Sequence, residues 1–271
     1  MPQGTLSGPK DFLIQINDLN TPCETYKYVD DSTIFEICKT DTISIIQEAA
    51  DVAANWTKTN DMRINASKTK EMVICFSTNR NLVESMPHIV IDEVDIERVN
   101  HAKILGVMVS ANLTWNAHID NIVAKASKRL FMLYQMKRSG ISQHDLLRIY
   151  LSVIRPVVEY ACPVWHSSLP KYLSDNIELI QKRALRTIYP GCHYDICLDK
   201  SNITTLAARR DTLCIAYFNK MKESSHKLNK LLPGNRDVPY NLRTTNMLPV
   251  PRARTNRFMN SLIPWCLNNH Q

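Results

Sequence analysis

The stretch Lys27-Tyr28-Val29-Asp30-Asp31-Ser32-Thr33-Ile34-Phe35-Glu36-Ile37 sets two adjacent carboxylates between two segments that alternate with period two. Such alternation around a polar tip reads as a β-hairpin with acid at its turn. Asp is common in turns because it hydrogen-bonds its own backbone and tolerates unusual dihedrals. Carboxylates on a rigid turn are also oxygen ligands for hard divalent cations such as Mg²⁺. Paired Mg²⁺ ions stabilise both the attacking and the leaving oxygen of a phosphoryl transfer. The tetrapeptide Tyr28-Val29-Asp30-Asp31 by itself leaves the bland turn and the metal-binding turn both open.

Its neighbourhood separates the two. Upstream stands Pro2-Gln3-Gly4-Thr5-Leu6-Ser7-Gly8-Pro9, followed by Phe12-Leu13-Ile14-Gln15-Ile16-Asn17-Asp18-Leu19. Downstream come Trp56, Asn65-Ala66-Ser67-Lys68-Thr69-Lys70, Ile104-Leu105-Gly106-Val107, Leu113-Thr114-Trp115 and His118-Ile119. Ile154-Arg155-Pro156, Glu159-Tyr160, Gln181-Lys182-Arg183 and Ala208-Arg209-Arg210 complete the series. In content and order this set resembles the reverse transcriptases of non-LTR retrotransposons, the LINE type and in particular its jockey-like members. The resemblance runs along nearly the whole chain. In that family a fingers region and a first catalytic Asp precede the Pro-Gln-Gly motif. Met1 stands directly before Pro2 here, so the resemblance implies the C-terminal part of a polymerase that lacks fingers and first palm motif.

The resemblance implies attack of a DNA primer 3′-hydroxyl on an incoming deoxynucleotide, directed by an RNA template and assisted by two Mg²⁺ ions. Asp30 is then the principal metal ligand, with Asp31 beside it. Consecutive strand residues point to opposite faces, so both reach the metals only if the chain turns between them, which ranks Asp30 first. Gln3, Gly4 and Tyr28 would lie beside nucleotide and template, and Gly4 permits close backbone approach. Leu6 precedes Ser7 where the family carries a leucine after the serine, and Lys10 replaces an apolar residue. Lys68 matches the lysine of the family's Asn-x-x-Lys motif, where a cation serves the departing pyrophosphate as general acid; Lys70 is a competitor, and a solvated loop lysine is the plainer alternative. Leu105 and Gly106 correspond to the primer-gripping turn. Lys125, Arg129, Arg183, Arg209 and Arg210 are assigned to the nucleic-acid backbone, or else to helix-surface ion pairs. An alternative reading is a non-catalytic nucleic-acid-binding relic of a mobile element.

Composition is compatible with either. At 271 residues and 44% hydrophobic the chain is long enough for two subdomains with a real core. It has no run long enough to span a bilayer and no secretory signal pattern, so the expectation is a soluble protein of the nucleus or cytoplasm. The eight cysteines are scattered and read as free thiols. Cys192, His193 and Cys197, with Cys214 and His226 further on, match no common zinc spacing. The net charge of +7 is unevenly placed. Residues 1–100 hold 9 Lys and Arg against 16 Asp and Glu, and residues 101–271 hold 24 against 10. An acidic half suits cations and a basic half suits a polyanion, although solvated basic helix faces are common.

The periodicity predicts an α+β fold. A short helix spans about Lys10–Leu19, then the hairpin, then a helix from Thr42 to Lys58 with Ala49, Ala53 and Trp56 on one stripe. Strands are expected at Met72–Phe76, His88–Ile91, Val94–Val99 and Ile104–Val109, forming one sheet with two helices on one face. Beyond Trp115 the period becomes helical. Ser142 and Asp145 form a capping box, Pro156 should kink or end its helix, and further helices span Pro170–Ile188, with Pro170 in its first turn, and Thr205–Met221. A basic, Pro-interrupted arm follows, whose Phe258, Leu262, Ile263, Pro264 and Trp265 dock it back on the body. With the resemblance, the expected architecture is a partial palm, an antiparallel sheet with helices on one face, over 1–110. An α-helical thumb or connection region over 111–225 and a basic C-terminal segment over 226–271 complete it.

Overall fold

The structure, a computed structural model, describes residues 8–39, 42–77, 81–234 and 248–269. The chain divides into two units. The first runs to Lys103 and takes back Ser110–Leu113; the second comprises Ile104–Val109 and the chain from Thr114 onward.

In the first unit, α1 (Gly8–Asn17) leads into the hairpin of β1 (Glu24–Tyr28) and β2 (Asp31–Phe35), and α2 (Ile46–Thr59) follows. α2 buries Ala49, Ala50, Ala53 and Ala54, small side chains that let neighbouring segments approach closely. Ile16 and Leu19 meet Ala53 in one apolar cluster, with Phe12, Ile34 and Trp56 packed around it. A second cluster joins Ala50 and Ala54 to Ile91 and Ile96. The chain continues through β3 (Lys70–Glu71), α3 (Asn81–Glu84), β4 (Val90–Ile91), β5 (Val94–Asp95) and β6 (Glu97–Arg98).

Strand pairing differs from the single sheet expected. Among the described residues the strands form four separate two-stranded ladders, β1 with β2, β3 with β6, β4 with β5, and β7 (His101–Ile104) with β8 (Val107–Ser110). The β3–β6 pair is parallel. Met72–Phe76 is not a strand, because apolar alternation supplies no ladder partner and Ile74 and Phe76 face solvent. Val94–Val99 is split at Ile96, which leaves the ladder to enter the core at 1% exposure. The Arg98 guanidinium grips both oxygens of Glu71 at 3.0 and 3.1 Å, a forked pairing that holds the short β3–β6 ladder.

β7 (His101–Ile104) and β8 (Val107–Ser110) form a hairpin in which the chain passes from the first unit to the second. The second unit is helical. Its α4 (Asn116–Arg138) is followed by α5 (Gln143–Ile149), α6 (Arg155–Glu159), α7 (Cys162–Trp165), α8 (Lys171–Ile188), α9 (Tyr194–Ser201), α10 (Leu206–Met221), α11 (Asn256–Met259) and α12 (Leu262–Asn269). Ser142 caps α5 by accepting from the Asp145 amide, and Thr205 caps α10 through the Ala208 amide. Pro156 neither ends the helix nor occupies its interior. One π-helical turn, Tyr150–Ile154, precedes it, with the Arg155 amide bonded to the Tyr150 carbonyl. Widening the helix just upstream absorbs the donor that proline lacks, so helix resumes through Glu159. Pro170 sits at the N-cap of α8, one position before the first turn expected for it. The helix α9 has no counterpart in the periodicity reading.

One large core fills this unit: Ile119, Ile122, Leu130 and Leu133 of α4 against Leu173, Ile177, Ile180 and Leu185 of α8, with Tyr150, Ile154 and Trp165 between. Leu262 and Trp265 pack against that core, and Cys266 and Leu267 join Phe218, so the C-terminal helix does dock on the body. All eight cysteines are free. Among the described residues no helix is long and apolar enough to cross a membrane.

Candidate functional site

The β1–β2 hairpin pairs Glu24 with Phe35 through Tyr28 with Asp31, leaving Val29 and Asp30 as a two-residue turn. Val29 has φ 55°. A β-branched residue in the left-handed region is strained, and such strain persists only where the surrounding structure over-determines it. Here the ladder does so on one side, and on the inner face Ile34 enters the cluster of Ile16, Leu19 and Ala53. Lys27, also on that face, donates to the carbonyls of Ile16 (3.0 Å), Asn17 (3.0 Å) and Leu19 (2.7 Å). It thereby places a cation at the negative end of α1. Asp18, just beyond α1, accepts from the Trp56 indole of α2 at 2.8 Å. Hairpin and both helices are thus locked together by residues whose anchoring role the sequence reading missed. The signal for Lys27 was its place one residue before Tyr28, on the inward-facing set of an alternating strand.

Directly opposed residues share a face, so Asp31 lies on the outer face with Tyr28, Tyr26 and Phe35. Tyr26 and Phe35 stack there with centroids 5.6 Å apart. Asp30 is in the turn itself. Both carboxylates are exposed, and neither takes part in a hydrogen bond or ion pair among the described residues. Gln3 and Gly4 lie outside the described residues.

Lys68 follows a turn in which the Asn65 side chain accepts from Ser67 and from the Lys68 amide. Its competitor Lys70 is committed elsewhere, bonded to the Ser67 carbonyl and paired with Glu97 at 2.5 Å. The Lys68 ammonium is left exposed; no bond joins it to Asp30 or Asp31.

In the second unit Leu105 and Gly106 have φ 45° and 89°, the two-positive turn that suits a two-residue hairpin. The Tyr160 hydroxyl donates to the Leu105 carbonyl at 2.7 Å. A Cβ on Gly106 would stand 3.1 Å from the Tyr160 ring, so glycine is needed for the approach as well as for the dihedral. Glu159, beside Tyr160, accepts from Arg209 at 2.8 Å and lies 3.6 Å from Arg155.

The basic residues divide. Lys125 and Arg183 are exposed. Arg129 donates to the Val153 carbonyl, and Arg209 is paired with Glu159. Arg210 corrects the surface assignment made for it. It is wholly buried, donating to His166 Nδ1 at 3.1 Å and Ser174 at 3.0 Å, with its guanidinium over the Trp165 ring at 5.8 Å. Gln181 is likewise a core residue, joining Tyr150, Tyr194 and the Thr204 carbonyl. Among the described residues no group of three His, Cys, Asp or Glu side chains is placed to hold a metal ion. Cys192 instead accepts from Lys200 at 3.3 Å.

Comparison with known proteins places these features in a chain with relatives of one class. The chain is homologous to the RNA-directed DNA polymerases of Drosophila non-LTR retrotransposons. It is 27% identical over 250 residues to the Drosophila melanogaster protein described as "Probable RNA-directed DNA polymerase from transposon X-element", covering 88% of this chain and 26% of that protein. It is 24% identical over 202 residues to the "RNA-directed DNA polymerase from mobile element jockey" of the same fly, covering 69% and 21%. A third relative, the "Probable RNA-directed DNA polymerase from transposon BS", is 24% identical over 208 residues, covering 72% and 22%. The chain therefore spans about a quarter of the length of the curated relatives it matches. No family model matches it, and no solved structure gives a significant match.

Proposed function

We propose that this chain is the portion of a retrotransposon reverse transcriptase that carries the catalytic carboxylate hairpin, with the first unit as part of a palm and the helical unit as a thumb-like region. The observation that carries the reading is the Val29–Asp30 turn. It presents Asp30, with Asp31 next to it at the start of β2, as two exposed carboxylates that have no partner among the described residues, on a strained hairpin in a chain homologous to RNA-directed DNA polymerases. Its substrates would be an RNA template, a DNA primer and deoxynucleotides.

The donor chemistry fits Mg²⁺, which protein sites bind through one or two carboxylates, water and substrate phosphates supplying the remaining oxygens. Asp30 and Asp31 would hold the ion, and when bound it would supply charge stabilisation for the attacking and leaving oxygens. Lys27 keeps the hairpin from shifting against α1, so the carboxylates stand in a fixed position before substrate arrives. Lys68, exposed and cationic, would offer a proton to the departing pyrophosphate. Leu105 and Gly106 would present backbone to the primer, and Lys125 and Arg183 would take phosphate contacts; Arg129 and Arg209 reach phosphate only by giving up internal partners.

No third carboxylate joins Asp30 and Asp31 among the described residues, which favours a second reading in which this chain alone binds nucleic acid without extending it. Primer extension with the purified chain, RNA template, DNA primer, deoxynucleotides and Mg²⁺ is expected to give no product, while template–primer binding persists. Extension that Asp30→Asn abolishes would make the chain a complete catalyst. Failure to bind template–primer even at low salt would remove the polymerase reading itself.

A further inference from the structure

We infer that the exposed face of α4 carrying Lys128, Phe131, Tyr134 and Arg138 is a stacking site for unpaired bases of single-stranded nucleic acid. The inference rests on the nucleic-acid reading given above and adds to it a ligand class and a set of residues. The four positions fall at intervals of three, three and four, so they lie along one side of the helix. At 1.5 Å per residue they extend over about 15 Å. The opposite side supplies Ile119, Ile122, Leu130 and Leu133 to the core. Helix stability therefore does not need Phe131 or Tyr134, yet these rings are 65% and 47% exposed.

What surrounds them is cationic. Asp120 is the only acidic residue of α4, and it lies more than two turns from Phe131. Two of the helix's basic residues are used inside the unit, Arg129 on the Val153 carbonyl and Lys137 on the Thr187 carbonyl. Lys128 is exposed and makes no such bond, and Arg138 lies over the Tyr134 ring at 5.4 Å. A guanidinium already stacked on a ring extends the flat surface and adds positive charge to it. Aromatic faces flanked by cations, on a stretch of helix that carries no acid of its own, are complementary to a strand whose bases are unpaired and whose backbone is anionic. A paired duplex hides its base faces except at its ends, so the single strand is the preferred occupant.

The test is fluorescence anisotropy of the full chain with a labelled mixed-sequence single strand and a blunt duplex of equal length, across a range of salt. Phe131→Ala with Tyr134→Ala is expected to weaken single-strand binding about 10-fold or more, to leave duplex binding unchanged, and to leave the slope of log affinity against log salt unchanged. Lys128→Gln with Arg138→Gln is expected to lower that slope by about 1 to 2. Phe131→Trp should keep affinity and show emission quenched by the single strand and not by the duplex, which covers the case in which the double alanine variant fails to fold. Unchanged single-strand affinity in the folded alanine variant overturns the stacking site while leaving the nucleic-acid reading intact. Equal losses for single strand and duplex also overturn it. A wild-type chain that binds neither oligonucleotide overturns both. Unchanged affinity together with a shift from dimer to monomer on sedimentation would assign the face to self-association instead.

Discussion

Acidification should unfold the helical unit in a pH window set by two buried histidines. His166 accepts from Arg210 Nε at its Nδ1, 3.1 Å away, and donates from Nε2 to Asp211 at 2.9 Å. These partners require the neutral imidazole with its proton on Nε2. Burial and the neighbouring Arg210 charge hold its pKa below the ordinary 6.5, and Asp211 only partly restores it. His118 is fully buried between Trp115 and Trp165 and accepts from the Met108 amide at its Nδ1. Burial, and then the charge of Lys125, hold it low as well. Protonating either ring sets a donor against a donor, Arg210 in one case and the Met108 amide in the other.

For a histidine held low in the folded state, the unfolded chain takes up the proton first as pH falls below about 6.5. Stability from both groups is therefore complete above that value and is lost below it. Each proton contributes a slope of about 1.4 kcal/mol per pH unit between the folded and unfolded pKa values, so the two together give at most about 2.7 kcal/mol per unit. That is a large part of a typical total of about 5–15 kcal/mol. Urea unfolding followed by circular dichroism at 222 nm, from pH 7.5 to pH 5.5, measures the slope. His166→Asn retains an acceptor for Arg210 without a titrating proton and should roughly halve it. The carboxyls act at lower pH: in Glu36 burial is outweighed by hydrogen bonds from Ser44 and the Ile45 amide, and Asp145 is held low by Ser142, so Glu36 loses its contribution below about 4.5 and Asp145 below about 3.8. Stability that stays flat across the histidine window, or a slope untouched by His166→Asn, would refute the account of the Arg210 site.

Two substitutions probe the hairpins. Lys27→Met removes the donor from three carbonyls at the end of α1 and should cost about 1–3 kcal/mol; hydrogen exchange should quicken in residues 8–35 and stay unchanged beyond residue 114, and uniform protection would show that Ile34 alone holds the hairpin. Gly106→Ala should destabilise by about 1–2 kcal/mol for the left-handed backbone, with an added steric part from the Tyr160 ring. In a double-mutant cycle with Tyr160→Ala the steric part should vanish, and strict additivity would show that ring and glycine do not meet.

Local elements were legible where one physical signal dominated. The hairpin at Asp30 and Asp31 follows from alternation around a polar tip, α4 from its apolar stripe, and the start of α5 from Ser142 and Asp145. What alternation cannot supply is a partner. Met72–Phe76 has strand composition, but no ladder receives it, and its apolar residues Ile74 and Phe76 remain exposed. The π-turn ahead of Pro156 was also illegible: proline signals an interrupted ladder, and whether the chain ends, kinks or widens depends on what the flanking turns bury. Here Tyr150 and Ile154 are both at 0% exposure, so their place in the core keeps the chain helical on both sides of the widening.

Site residues were legible in kind and less so in orientation, and Arg209-Arg210 shows why. Adjacent helical residues differ by about 100° in direction, so a basic pair cannot present both side chains to one surface. Position 210 falls on the stripe of Leu206, Cys214 and Phe218, each four residues from the next and each buried. The arginine on that stripe had to enter the core, and Arg209, one step around, had to leave it and meet Glu159. The helical period alone sets both directions, whatever the charge of the side chain. The same rule applied to α4 works in the opposite direction. Phe131 and Tyr134 fall off the stripe of Ile119, Ile122, Leu130 and Leu133, so their hydrophobic character could not put them in the core. An apolar residue forced outward by the period and surrounded by cations is therefore informative in the same way as a charged residue forced inward.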